Sequence, residues 1–188
     1  CLRLSRFPNL CPQFHLSLQS GSDTVLVRMR RKYDTARYVQ SVALLRESFP
    51  GCALTTDLIV GFPGETEAEL EESLAFCRQC GFAAMHIFPY SRRPGTPADK
   101  MPGQLTKAEK EARSARAIAV ARALEQAYLS AQIGTTQEVL WEEPAGEGLY
   151  TGHTPTYTKV YAPGNGLHNQ ICNVTITGLY KDGLLGQL

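Results

Sequence analysis

Along residues 13–131 the spacing of apolar residues switches between period two and period 3.6, the alternation of strands and helices that builds a parallel sheet. FHLSLQ (14–19) predicts a strand that turns at Ser20-Gly21-Ser22, and a helix follows over roughly 35–49, stopped by Pro50-Gly51. ALTTDLIV (53–60) is the second strand. Thr66 and Glu69 then have capping-box spacing, Leu70, Leu74 and Cys77 fall on one helical face, and Gly81 supplies the stop. FAAMHIFPY (82–90) is the third strand. A second capping box, Thr106 and Glu109, opens a long helix to about 131 with Ile118, Ala121, Leu124 and Tyr128 on one face. From 132 the period becomes two throughout. TQEVLWEE, GLYTGHT, YTKVYAP, QICNVTIT and GLLGQL read as about five short strands of a small antiparallel barrel. The expected division is therefore 1–131 and 132–188.

Within the parallel strands, polar residues share a face: His15, Ser17 and Gln19 on the first, Thr55 and Asp57 on the second, His86 and Tyr90 on the third. Strands covered on both faces are continuously apolar, so this row suits either a wet, ligand-sized cavity or polar groups that bond one another. The turns beyond the strands carry the same character. QSGSD (19–23), GFPGET (61–66) and YSRRPGT (90–96) all fall at carboxyl ends of parallel strands, where helix N-termini and loop amides converge on ligands. GFPGET is neither a phosphate P-loop nor a dinucleotide fingerprint.

Composition narrows the class. Of 188 residues, 43% are hydrophobic and 20% charged, ordinary for a globular protein, and the apolar runs fall far short of a membrane span of about 20 residues. No signal segment opens the chain, so a cytoplasmic location is the default, and the start close to a strand suggests a piece of a longer protein. The net charge of +1 conceals an asymmetry: 17 Lys+Arg against 13 Asp+Glu through residue 131, then two lysines against five acids. A polyanion should meet the first part more readily. Among six scattered cysteines only Cys77 and Cys80 have metal-like spacing, and they share a helix face with no second pair to complete a zinc site.

CPQFHLSLQSGSDTVLVRMRRKY, TTDLIVGFPGETEAELEESLAF and HIFPYSRRPGTPADKMPGQ, in this order and spacing, resemble the radical S-adenosylmethionine methylthiotransferases, and the tail resembles the RNA-binding barrel called TRAM. The resemblance implies an α/β fold: the C-terminal part of a radical-SAM (β/α) partial barrel, followed by a small antiparallel TRAM-like β-barrel. It implies a tRNA-modifying enzyme, most like those acting on threonylcarbamoyladenosine beside the anticodon, with the isopentenyladenosine enzymes as the alternative. S-adenosylmethionine and two four-iron four-sulfur clusters are the cofactors so implied. The CxxxCxxC that holds the radical cluster does not occur here, so its catalytic cysteines, and the N-terminal domains that partner this part, would lie outside the chain. The chain alone is expected to be inactive, to bind no cluster and to self-associate.

By the same resemblance, Gln19, Ser20, Asp57, Gly61, Gly64 and Glu65 help to hold S-adenosylmethionine, and Tyr90 lies by the substrate entrance. Gln13 stands where relatives commonly have histidine. Arg28, Arg30, Arg31 and Lys32, with Arg92 and Arg93, are either solvated helix and loop ends or phosphate contacts to tRNA. His153, Tyr157 and Lys159 would meet RNA by stacking and local contact, since their domain is net acidic. A non-catalytic RNA-binding module is the competing class. An aldolase-like barrel finds no Schiff-base lysine on its strands.

Overall fold

The computed structural model describes Cys1 and residues 3–188. Its elements run β1 Gln13–His15, α1 Asp23–Arg28, α2 Thr35–Ser48, β2 Ala53–Val60, α3 Glu67–Cys80, β3 Ala84–Pro89, α4 Lys107–Ser130, β4 Thr136–Gly146, β5 Leu149–His153, β6 Lys159–Pro163, β7 Ile171–Tyr180 and β8 Gly183–Gln187. Single 3₁₀ turns occupy Leu4–Arg6 and Pro97–Lys100. The chain divides into two compact units. One holds Cys1, Phe14–Pro50 and Leu54–Glu125; the other holds residues 3–13, Gly51–Ala53 and Gln126–Leu188, so α4 runs across the divide.

The first unit is built on a three-stranded sheet ordered β1-β2-β3. β2 and β3 are parallel, with Asp57 opposite His86 and Val60 opposite Pro89. Regular pairing in β1 stops at His15, but the backbone stays on β2: Leu16 N–H donates to Thr55 O and Gln19 N–H to Asp57 O, both at 2.9 Å. Gln19 ends this run at φ +67°, which bends the chain into α1. Leu18, Leu54, Leu58, Val60, Leu70, Leu74, Cys77 and Phe82 are fully or almost fully buried, the apolar faces of strands and α3 meeting as the period demands.

Both expected capping boxes form. Thr66 Oγ1 accepts from Glu69 N–H while the Glu69 carboxylate accepts from Thr66 N–H, and Gly81 closes α3 at φ +61°. Thr106 and Glu109 repeat the exchange at α4. Along α4 the buried stripe is Ala117, Val120 and Ala121, whereas Ile118 is exposed. Of the expected face, Ala121 is buried and Leu124 and Tyr128 are half-buried; only Ile118 misses, its place in the stripe taken by the small Ala117 one residue earlier.

α1 has no counterpart in the sequence reading. It ends in a Schellman motif, Arg31 N–H on Leu26 O and Arg30 N–H on Val27 O, both 2.9 Å, with Arg30 at φ +57° where glycine is usual. Without that glycine the sequence carries no stop signal.

The second unit contains a closed five-stranded barrel ordered β4-β5-β6-β8-β7. Trp141, Val139, Val160, Ala162, Val174, Ile176 and Leu184 fill it, with Leu129 packed against them. It is not wholly antiparallel: β6 and β8 pair in parallel, Val160 with Leu184 and Tyr161 with Leu185. That pairing joins strands not consecutive in sequence, which period-two patterning cannot order. Among the described residues, no helix is long and apolar enough to cross a membrane.

Candidate functional site

Parallel strands bring their polar face to one place. His15 Nδ1 lies 3.0 Å from Thr55 Oγ1, His15 Nε2 lies 3.2 Å from Asp57 Oδ2, and Ser17 Oγ donates to the same Asp57 oxygen at 3.3 Å. The His86 ring centre is 6.2 Å from that of His15. Asp57 also lines a cavity of about 590 Å³ with Gln19, Arg31, Ile59, Phe88, Tyr90, Arg93 and Thr96. The two expectations divide the face: His15, Ser17, Thr55 and Asp57 bond one another, while Gln19, Asp57 and Tyr90 border the cavity, and Asp57 does both. Ile59 and Phe88 were not singled out from sequence, although each sits two residues beyond a polar residue of the same face and period two would have placed them there.

Gln19 is buried, and its Oε1 accepts from Arg31 Nη2 at 3.0 Å, which aims its amide N–H₂ and the arginine together. A bulky residue at positive φ costs on the order of 1–3 kcal/mol and persists where its surroundings fix it. Adjoining is a smaller cavity of about 280 Å³, bordered by Arg28, Arg30, Arg31, Phe62, Tyr90 and Met101. Among the described residues, the buried Tyr90 hydroxyl finds no hydrogen-bond partner.

The turn after β2 is held from behind. Gly61 and Gly64 are both at φ +72°, a backbone that L side chains rarely adopt. Glu65 points into the fold: its Oε2 accepts from Gly61 N–H at 2.7 Å and from Arg113 Nη1 at 2.6 Å. Burial pushes its carboxyl above the ordinary carboxylate value, while Gly61 N–H and Arg113 pull it down. Gly64 N–H donates to Gly103 O at 2.8 Å, and Lys110 Nζ to Tyr90 O at 3.0 Å. Arg116 pairs with Glu67 and Glu71. The i, i+3 spacing of Lys110, Arg113 and Arg116 was a visible signal for this basic rail.

The other singled-out residues separate into engaged and open. Ser20 is fully buried and bonds Ser73 Oγ at 3.1 Å, so it shapes the turn from inside. Arg28 Nη2 lies 2.7 Å from Glu69 Oε2, and Arg92 clasps Asp99 through its side chain and carbonyl, both at 2.9 Å. Arg30 and Lys32 are exposed. Cys77 and Cys80 are buried within α3, and burial pushes their thiols up to about 12 and about 11, which keeps them protonated and poor ligands.

On the barrel, Tyr157 is 71% exposed at φ +61° and stacks on His153, ring centres 4.5 Å apart at 13°. Threonines 154, 156 and 158 fix that turn: Tyr157 N–H donates to Thr154 O at 2.9 Å and Thr158 N–H to Thr154 Oγ1 at 3.1 Å. His153 Nδ1 is 2.5 Å from Glu142 Oε2. Lys159 Nζ is 2.9 Å from Asp182 Oδ2, whose Oδ1 accepts from Tyr161 O–H at 2.5 Å. Those two bonds hold the Asp182 carboxyl at about 2.

Comparison with known proteins adds to this geometry. Residues 3–77 match the profile of the Radical SAM superfamily. Two tRNA-2-methylthio-N(6)-dimethylallyladenosine synthases are similar: that of Oleidesulfovibrio alaskensis at 41% identity (95% of this chain, 44% of the relative) and that of Sorangium cellulosum at 40% (98% and 39%). The threonylcarbamoyladenosine tRNA methylthiotransferase of Bacillus subtilis is 39% identical, over 86% of this chain and 37% of its own length. The chain spans about two fifths of the length of these relatives. It is thus similar, over most of its own length, to part of the tRNA methylthiotransferases, and residues 3–77 carry the radical SAM match.

Proposed function

We propose that this chain is the later part of a radical S-adenosylmethionine methylthiotransferase that acts on a modified adenosine of tRNA, with residues 1–131 as catalytic-domain units and 132–188 as a TRAM-like RNA-binding barrel. The observation that carries this is the convergence of Gln19, Asp57, Arg31, Tyr90 and Arg93 on one cavity.

The residues present suit S-adenosylmethionine. A cavity of about 590 Å³ is of ligand size. Ile59 and Phe88 offer apolar faces to an adenine, Asp57 an acceptor to a diol or ammonium, and Arg31 and Arg93 guanidinium donors to a carboxylate. The orphaned Tyr90 hydroxyl is one more group a ligand would satisfy. The cysteines do not suit an iron–sulfur cluster: Cys77 and Cys80 are a buried pair on one helix and no triplet exists. Bound cofactors would supply the radical and the methylthio group. The role of this chain is to seat the ligand, and to present the exposed Arg30 and Lys32 to phosphates and the Tyr157–His153 stack to an unpaired base. Lys159, neutralised by Asp182, adds little charge to that surface.

The motifs around FHLSLQSG, HIFPYS and KMPGQ favour threonylcarbamoyladenosine as the substrate. A second reading, dimethylallyladenosine, is favoured by the names of the two relatives of 41% and 40% identity. Mass analysis of tRNA nucleosides from cells lacking the gene decides between them. Loss of the methylthio group from the threonylcarbamoyl nucleoside supports the first and loss from the dimethylallyl nucleoside the second. An unchanged nucleoside profile overturns both.

A further inference from the structure

His15 does not line the 590 Å³ cavity, yet it grips the carboxylate that does. A carboxylate oxygen only accepts, so the 3.2 Å contact from His15 Nε2 to Asp57 Oδ2 requires the ring proton on Nε2. Nδ1 is then the acceptor in the neutral ring, and the Thr55 hydroxyl at 3.0 Å donates to it. Ser17 Oγ, 3.2 Å from Nε2, gives its proton to Asp57 Oδ2 at 3.3 Å. Both donors therefore converge on Oδ2, and among the described residues Asp57 Oδ1 has no such partner. The imidazole is seated at both nitrogens on the same sheet face as Asp57, with His86 beside it. An imidazole so held fixes the rotamer of its carboxylate, as outer partners do for ligating groups elsewhere.

We propose that His15 is the positioning residue of Asp57: it saturates Oδ2 and leaves Oδ1 to accept from a hydroxyl or ammonium donor of the cavity's occupant. The identity of that occupant as S-adenosylmethionine rests on the function proposed above; the His15–Asp57 pair itself does not.

The test uses the whole chain and S-adenosylhomocysteine as probe, titrated calorimetrically. Asp57→Ala and His15→Ala are each expected to weaken binding roughly tenfold, the scale of one hydrogen bond to a charged group. His15→Gln, whose amide N–H₂ reaches the place of Nε2–H, should stay within about threefold of the parent. The double substitution should bind no more weakly than Asp57→Ala alone, since the two act as one unit. A loss in Asp57→Ala with none in His15→Ala overturns the inference and leaves the cavity reading standing. Absent or unaltered binding throughout overturns the cavity reading instead, and the pair is then judged by ring-nitrogen NMR. His15 should show the Nε2–H tautomer and lose it in Asp57→Ala. A ring spectrum indifferent to Asp57→Ala overturns the inference.

Discussion

Arg113 Nη1 stands 2.6 Å from Glu65 Oε2, with 12% and 1% of the two side chains exposed. The same carboxylate holds Gly61 N–H, so a helix that begins more than forty residues later fixes the turn beyond β2. Arg113→Met leaves a buried carboxylate without its partner and should cost about 3–5 kcal/mol, whereas Arg113→Met with Glu65→Leu should recover part of it. Urea denaturation of the two variants measures this. A loss in Arg113→Met of under about 1 kcal/mol, the scale of an exposed pair, would show that the bridge does not anchor the turn.

Acid stability should report on Glu69. Burial raises its carboxyl, but Arg28, Thr24 and Thr66 N–H outweigh that and hold it at about 2, below the ordinary 4.5. A folded value below the unfolded one means that the contribution is fully present above about pH 4.5 and is lost as the pH falls towards 2. Glu69→Gln should therefore flatten the dependence of unfolding free energy on pH in that window. An identical slope in parent and variant would show that the Arg28 pair contributes nothing.

Arg30 offers a cleaner probe of nucleic-acid contact than its neighbours. It is exposed and sits at φ +57°, a conformation that costs a non-glycine residue about 1–2 kcal/mol. Arg30→Gly should stabilise the fold and, if the function proposed above is right and Arg30 meets a phosphate, shrink the slope of log affinity for tRNA against log salt by roughly 0.7–0.9. Filter binding across a salt series reads the slope. No change in slope would make Arg30 a solvated helix end only.

Self-association should follow from the sheet. β1 and β3 are its outer strands, and Phe88 and Val27 are 50% and 74% exposed. Open edges and bare apolar surface recruit other chains. The barrel strands, by contrast, close on themselves. Light scattering should show the whole chain as an oligomer and residues 132–188 as a monomer. A monodisperse monomer of the whole chain would refute this.

Local signals carried most of the secondary structure. The Thr66 and Thr106 boxes, Gly81 and the eight-residue run of β2 all fell where their chemistry placed them, because each depends on residues within one turn or strand. What stayed hidden was decided at long range. Arg28 looks like any member of a basic run until Glu69, 41 residues away, is seen beside it. Nothing within GFPGET shows that the Glu65 carboxylate meets Arg113, 48 residues on. The short α1 was missed because Arg30 replaces the expected glycine stop. On the polar face, alternation indicated the shared side of His15, Ser17, Thr55 and Asp57, but not which of them face one another and which the cavity.

The position of β8 between β6 and β7 sets a timetable for synthesis. Chains emerge from the ribosome amino end first, and domains settle as their parts appear. Strands β4 to β7 can pair with their neighbours as they are extruded, yet the ring stays open until Gly183–Gln187 has left the exit tunnel. Until then β6 and β7 each present a vacant edge on a nascent chain, and Trp141 and Val174 await the wall that seals them from water. Closure is thus a late, single event, and the turn that carries Tyr157 would acquire its final support only when translation has passed the last strand.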